Sequence, residues 1–362
     1  MDLRPICDVN EPDGSRCTEK VGRRGERCPK HKGIRLHREY GFYMRPYLNF
    51  EQDSQDNQDP TVFKFRVGEH TIRVLYDGLI LVQSSSIDPL IDDFYNVVDI
   101  AQQLKKWSKM ERAWAGYVDL FNLLYFLLFC AQTDSRNYRE PSIYLVSLYE
   151  ITRNGVCAIT FQDDVIVRHC WYGGEPTQSL IRRGKIDEQD AAISKAGTNS
   201  TEVLEKWKRL AEEVFASEDG VSYASEASRV FSRFHHQDYR GALLNGWIMI
   251  EEHFLKKWRS FLKEISETNP GKMPRKRRET LCGLNWTASI VIESLELLGL
   301  LTSEMYSDIT QVRKARNDCM HKGANPTIDD AKKCLDLIKV LSSEYYLRQL
   351  PMHINEGEMS AL

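Results

Sequence analysis

From Tyr223 onward the sequence has the hydrophobic period of α-helices almost throughout, which restricts this part of the chain to a helical architecture. In the stretch that begins at Tyr239, apolar residues recur every three or four positions over about six turns: Leu243, Trp247, Ile250, Phe254, Trp258 and Phe261. Thr327 and Asp330 have the spacing of a capping box that would start the last helix. Three more helices are predicted near residues 288–298, 303–321 and 328–347. This pattern predicts an all-helical bundle.

A different period marks a second unit between residues 61 and 175. Apolar and charged side chains alternate from Phe63 to Val67, and two apolar stretches follow on either side of the hairpin dipeptide Asp77-Gly78. A helical stretch near 94–132 comes next, and its second half is almost wholly apolar, as expected of a buried helix. Strands are then predicted in SIYLVSLYEIT, VCAITF and VIVRHCWY. The segment is therefore predicted to be an α+β domain with antiparallel strands, without a catalytic motif of its own.

These patterns divide the 362 residues into several folding units, as expected at roughly 100–200 residues per domain. The predicted fold class is multidomain α+β. It comprises a basic, zinc-finger-like segment at 1–50, the central α+β domain at 61–175, a helical linker at 176–221 and the all-α bundle at 222–350. The formal net charge is −3, so any binding of nucleic acid must depend on local basic patches.

Composition also bears on location. The longest apolar stretch, residues 120–131, is too short to span a bilayer, and the first residues lack the pattern of a secretory signal. Six of the nine cysteines are scattered through apolar segments, as expected of small core residues rather than of a disulfide framework. We therefore expect a soluble, cytoplasmic protein that does not bind membranes.

The helix predicted near 303–321 places a cation where an apolar side chain is expected. Arg316 completes a stripe otherwise formed by Ile309, Val312, Cys319 and Met320. Because arginine keeps its charge, its guanidinium must pair with a carboxylate, such as Glu251 or Glu252, or receive an anion at an interface. His321 is expected in the last turn, before Gly323 as a left-handed cap.

An arginine and a titrating histidine on one helix are suited to phosphodiester chemistry. The 2′-hydroxyl of RNA can attack its own phosphate, so a protein needs a proton-transfer group and a cation on the developing charge. The alternative is structural: a histidine that caps the helix beside an arginine that forms an ion pair.

The hexapeptide RNDCMH, from Arg316 to His321, matches the R-x4-H signature of the HEPN (higher eukaryotes and prokaryotes nucleotide-binding) superfamily, with the polar Asn317 after the arginine. The order of helices over about residues 220–350 is also similar to that of HEPN bundles. This resemblance implies a metal-independent endoribonuclease that acts as a homodimer or higher homo-oligomer, with the two signature helices facing each other. It implies that Arg316 holds the scissile phosphate, that His321 transfers protons and that Asn317 orients a proton or binds RNA.

The resemblance extends to the biological setting and leaves an alternative open. HEPN proteins of this layout resemble toxins of microbial antiviral defence, whereas other HEPN domains bind or scaffold without cleaving. A non-catalytic, dimerising adaptor for RNA or protein is therefore the competing hypothesis. The basic stretch after the long helix either holds the RNA backbone or is a solvated loop; its cations are Lys272, Arg275, Lys276, Arg277 and Arg278.

The first residues of the sequence have the composition of a small metal-binding segment. Three cysteines and a histidine would complete a closed, structural zinc site: Cys7, Cys17, Cys28 and His31, with His37 as a substitute ligand. Lysine and arginine residues surround the predicted ligands, and aromatic residues, among them Tyr40 and Phe42, follow them. They either bind a nucleic-acid or protein partner or are buried against the central domain.

Overall fold

The computed structural model describes residues 17–18, 36–43, 49–50, 61–75, 78–95, 99–134, 151–162, 165–171, 198–199, 201–283 and 285–345. The described residues up to Glu218 form one compact unit, and those from Asp219 onward form a second. Within these ranges the first unit combines a sheet with helices and the second is helical. The α+β class with antiparallel strands that the sequence predicts is thereby confirmed.

The strands of the first unit are β1 (Leu36–Tyr43), β2 (Asn49–Phe50), β3 (Thr61–Val67), β4 (His70–Leu75), β5 (Leu79–Ser84), β6 (Cys157–Gln162), β7 (Val165–Trp171) and β8 (Thr198–Asn199). Its helices are α1 (Asp88–Tyr95), α2 (Ile100–Asp134) and α3 (Thr201–Phe215), with a 3-10 turn at Arg153–Gly155. Six strands form one antiparallel sheet in the order β3-β4-β5-β1-β6-β7, and β2 pairs with β8 in a short parallel ladder. Strands β3, β4 and β5 and the turn at Gly78 were predicted from the alternating pattern. Most of the strand predicted before Asn154 lies outside the described residues.

Strand β1 lies in the middle of the sheet, between β5 and β6, although the sequence assigned its residues to the N-terminal segment. Its side chains Tyr40 and Phe42 are buried against α2. The ring of Tyr40 lies 5.1 Å from that of Trp114, and the ring of Phe42 lies 5.1 Å from that of Phe121. Tyr40 and Phe42 are therefore core residues of the first unit. Of the two alternatives for these aromatic residues, burial against the central domain is the one that the structure supports.

Helix α3 also belongs to the core of the first unit, whereas the sequence predicted a helical linker across 176–221. Trp207 of α3 is buried, and its indole nitrogen donates a 2.9 Å hydrogen bond to the carbonyl of Leu124 in α2. Its ring packs 5.1 Å from that of Phe65 in β3. An amphipathic, charged helix thus packs through one apolar face.

Helix α2 is long and apolar enough to cross a membrane by length and composition alone. Its most apolar window has a mean hydropathy of 1.5, but 72% of that window is buried inside the protein. This degree of burial is typical of a core helix.

The second unit contains α4 (Glu218–His235), α5 (Tyr239–Thr268), α6 (Arg275–Leu281), α7 (Ala288–Leu297), α8 (Ser303–Lys322) and α9 (Ile328–Ser342). The long helix α5 packs against the four helices that follow it. Its Gly246 permits a close approach to α9, because a Cβ there would lie 2.4 Å from the sulfur of Cys334. Helix α4 begins at Glu218, so the predicted boundary between linker and bundle at 221/222 falls near its start, and the predicted basic loop contains α6.

The ends of α8 and α9 agree with the sequence signals. Gly323 has φ 68°, so α8 ends in the left-handed cap that its glycine predicts. The hydroxyl of Thr327 accepts from the backbone of Asp330, whose carboxylate accepts from the backbone of Thr327, which is the predicted capping box.

Candidate active site

The candidate site is the C-terminal half of α8. Ile309, Val312 and Cys319 are buried and hold this helix in the bundle. Arg316 lies seven residues after Ile309, so the two residues are only about 20° apart around the helix. Arg316 is half-buried. The sequence predicted that Arg316 completes the buried stripe; in the structure it is half-buried, unlike the fully buried Ile309, Val312 and Cys319.

The sequence analysis placed Met320 in the buried stripe, and this was wrong, because 49% of Met320 is exposed. Met320 and Cys319 are neighbours, so their side chains point about 100° apart on a helix. Because Cys319 occupies the core position, Met320 is directed outwards. An apolar side chain thus lies beside Arg316 at a spacing of four residues.

The guanidinium of Arg316 has no carboxylate partner among the residues from Asp219 to Tyr345. Its hydrogen bond, at 3.0 Å from Nη1, goes to the side-chain oxygen of the adjacent Asn317. Glu252, one of the two expected acidic partners, is paired with Lys256 instead. The ion pair that would have made Arg316 purely structural is therefore not formed within this range. A half-buried cation without a counter-ion is costly in free energy, and a bound anion would reduce that cost.

Asn317, which is half-buried, and His321, which is exposed, lie on the same side of α8. They are four residues apart, so their side chains are neighbours on the helix surface. His321 is exposed in the last turn, before the Gly323 cap. None of the side-chain hydrogen bonds within 201–345 holds its imidazole, so the ring can rotate towards a ligand or a second copy of the chain.

The electrostatic surroundings of this face are positive. Residues 313–322 include four lysine or arginine side chains and one carboxylate, that of Asp318. Lys322 forms an ion pair with Asp318 at 2.7 Å, and this hydrogen bond lowers the pKa of the Asp318 carboxyl. Arg313, which sequence reasoning missed, donates to the hydroxyl of Ser289 in α7. The acid of this segment is thus occupied, and the face is suited to an anionic ligand.

Helix α6 carries four of the five cations predicted to bind RNA, the fifth, Lys272, lies just before it, and none of the side chains of α6 is buried. Arg275 pairs with Glu279 at 2.7 Å. The Nη1 of Arg277 donates to the carbonyl of Lys272 at 3.1 Å. Among the described residues, Lys272, Lys276, Arg277 and Arg278 have no ion pair. The stretch is therefore a short helix with a positive, accessible surface.

A separate polar cluster joins α5 to the turn after α9. His253 lies 3.1 Å from the hydroxyl of Tyr345 and 3.4 Å from the carboxylate of Glu344. Lys257 contacts the same carboxylate at 2.9 Å. The hydrogen bond with His253, helped by Lys257, lowers the pKa of Glu344 to about 2. These contacts link α5 to the turn after α9, although the buried Nε2 of His253 has no hydrogen bond of good geometry among the described residues.

The predicted zinc ligands are only partly within the described residues. Cys17 is buried, with 4% of its surface exposed, whereas Cys7, Cys28 and His31 lie outside the described residues. His37, the substitute ligand, belongs to β1, where its backbone pairs with Phe161. Where side chains are described, no group of three or more His, Cys, Asp or Glu has the arrangement of a metal site.

Comparison with protein-family models, curated proteins and solved structures gives no match for this chain.

Proposed function

We propose that the helical unit is a metal-independent endoribonuclease of the HEPN type, active as a homodimer. One observation carries the proposal: Arg316 is a half-buried guanidinium without a carboxylate partner in the described part of its unit, on the helix that also carries Asn317 and His321. Such a cation is suited to the charge that develops on a phosphate during cleavage.

The chemistry requires few groups. The 2′-oxygen of RNA forms a new bond to the adjacent phosphorus while the bond to the 5′-oxygen breaks. The proton of the 2′-hydroxyl passes to a general base, and the leaving 5′-oxygen takes a proton from a general acid. His321 is proposed to transfer protons, Arg316 to stabilise the phosphate oxygens and Asn317 to orient the guanidinium that it already contacts.

The proposed dimer resolves a geometric problem. Arg316 and His321 are five residues apart, so they point about 140° apart on an ideal helix. Two copies of α8 around a two-fold axis can bring Arg316 of one protomer near His321 of its partner. The cations of α6 are proposed to bind the RNA backbone, since contacts to phosphate give affinity that does not depend on sequence.

The test is cleavage of a labelled single-stranded RNA by the purified protein in buffer without divalent metal. We expect fragments with 2′,3′-cyclic phosphate and 5′-hydroxyl ends, and no fragments from a strand of the same sequence that lacks every 2′-hydroxyl. Mass spectrometry of the products distinguishes these ends. Cleavage of the 2′-deoxy strand, or cleavage that requires added Mg²⁺, would contradict the proposed chemistry.

A non-catalytic RNA- or protein-binding adaptor is the second candidate, and the state of His321 favours it. Within the second unit's described residues, nothing is hydrogen-bonded to this imidazole, whereas catalytic histidines are usually oriented by a neighbouring group. RNA binding without product formation in the same assay would support the adaptor.

We also propose that the N-terminal segment binds one structural zinc ion through Cys7, Cys17, Cys28 and His31. The buried thiol of Cys17 is consistent with a closed site. Protein purified without added metal is expected to contain about one zinc per chain, and Cys28→Ser is expected to lose it. Measurement by inductively coupled plasma mass spectrometry decides this, and a metal content near zero in the unaltered protein would contradict it.

A further inference from the structure

Two tryptophans stack at the C-terminal end of the basic helix α6. Trp258 is buried in α5, and Trp286 lies half-buried in the connection between α6 and α7. Their ring centroids are 5.1 Å apart, with 14° between the planes. The indole nitrogen of Trp258 donates a 3.0 Å hydrogen bond to the carbonyl of Leu281, the last residue of α6. The stack is thus fixed beside the cations of this helix.

Trp258 stacks on one face of Trp286, and Trp286 as a whole is half-buried, so part of its indole ring remains exposed. Among the described residues, Trp258 is the aromatic side chain that packs against Trp286. A partly exposed indole ring is therefore held on a buried tryptophan.

The neighbouring cations are not explained by packing. No side chain of α6 is buried, so packing does not require lysine and arginine at these positions. Of the five cations at 272–278, Arg275 is the one with an ion pair among the described residues. The connection thus combines a positive surface with an aromatic ring, which is the arrangement by which proteins bind single-stranded nucleic acid.

A line of contacts leads from this surface to the candidate active site. Ser289, in the first turn of α7, is three residues from Trp286, a span of at most about 10 Å. Its hydroxyl accepts a hydrogen bond from Arg313 of α8. Arg313 is three residues before Arg316, so their side chains lie on neighbouring positions of α8. A strand bound at Trp286 can therefore continue towards Arg316.

We propose that Trp286 and the cations of α6 form a binding site for single-stranded RNA, in which a base stacks on the outer face of Trp286 and the cations contact phosphates. The assignment of RNA as ligand depends on the proposed function. The choice of single strands does not, because the bases of a duplex are already stacked on both faces and cannot cover an indole ring.

Binding is measured in the full chain carrying both Arg316→Ala and His321→Ala, so that RNA stays intact. A fluorescent single-stranded RNA and a duplex of the same sequence are titrated by anisotropy at several salt concentrations. Trp286→Leu is expected to weaken single-strand binding about fivefold or more, without a change in duplex affinity or in the salt dependence. The double substitution Lys276→Ala and Arg277→Ala is expected to reduce the slope of log affinity against log salt by about 1.4.

The controls separate stacking from folding. Trp107→Leu, at an exposed tryptophan of the first unit, is expected to leave RNA affinity unchanged. Trp286→Phe keeps an aromatic face, so it is expected to retain most of the affinity and serves if the leucine variant unfolds. Unchanged single-strand affinity in Trp286→Leu, an equal loss for duplex and single strand, or a parent protein that binds no RNA would each overturn the inference.

The same experiment distinguishes this site from the proposed catalysis. If the unaltered protein binds single strands through Trp286 but does not cleave them, the ribonuclease proposal fails and the binding site stands. If the unaltered protein cleaves RNA and Trp286→Leu binds RNA normally, the ribonuclease proposal stands and the binding site at Trp286 fails.

Discussion

Arg316→Ala is expected to slow RNA cleavage by about a hundredfold or more, because the guanidinium is proposed to stabilise the charge that develops on the phosphate. His321→Ala is expected to lower the rate by about a hundredfold to ten-thousandfold, which is the usual effect of removing a proton-transfer group. Initial rates with a labelled single-stranded RNA measure both losses.

These losses must occur without a loss of folding. The side chain of Arg316 is hydrogen-bonded to its neighbour Asn317 and has no ion pair in its unit's described residues. Removing it should therefore change the free energy of unfolding by about 1 kcal/mol or less. Arg259→Ala and His236→Ala, at exposed residues of the same unit, are matched controls that should keep full activity. A large drop in stability in Arg316→Ala, or residual cleavage in the double variant equal to that of the parent, would refute the catalytic role.

Mixing the two inactive variants tests whether the site is shared between protomers. In a mixed dimer, one protomer keeps Arg316 and the other keeps His321, so one of the two shared sites is complete. After random exchange of subunits, about a quarter of the parent activity is expected. A site contained within one protomer predicts no recovery. Sedimentation analysis of the same mixtures establishes that dimers are present.

The features of the second unit that could be predicted from sequence are those with local causes. The helix that carries Arg316, its left-handed glycine cap and the capping box at Thr327 each depend on residues a few positions apart. Helix α6 was missed as a helix because it has no buried residue and therefore no apolar period to detect. The stack of Trp258 on Trp286 joins residues from two elements, so no spacing in the sequence indicates it.

In the sheet of the first unit, too, only the features with local causes could be predicted from the sequence. Strands β3, β4 and β5 follow one another in the chain and pair as two hairpins. The alternation of apolar and polar side chains therefore predicts them well. Strand β1 pairs with β5 and β6, which come much later in the chain, and its sequence LHREYGFY places a glutamate among aromatic residues. Glu39 is nevertheless buried, because Arg73 of β4 supplies a counter-ion that no local pattern can reveal.

That buried pair leads to the largest stability effect expected in this protein. Arg73 donates to Glu39 at 2.8 Å, with side-chain exposures of 8% and 2%, and it also contacts the hydroxyl of Thr61. Arg73→Met keeps the bulk of the side chain but leaves the Glu39 carboxylate in the core without its counter-ion. The free energy of unfolding is expected to fall by about 3–5 kcal/mol, measured by denaturant titration of the full chain.

A second ion pair of the same length provides the control. Arg153 and Glu111 are also 2.8 Å apart, but their side chains are 40% and 36% exposed, so Arg153→Met should cost about 1 kcal/mol or less. The double substitution Arg73→Met and Glu39→Leu removes both buried charges and should recover much of the lost stability. If Arg73→Met costs no more than Arg153→Met, the pair is not what keeps β1 in the centre of the sheet. A cost several times larger, reversed by the second substitution, would show that residues 36–43 are part of the core of this domain rather than of a separate N-terminal segment.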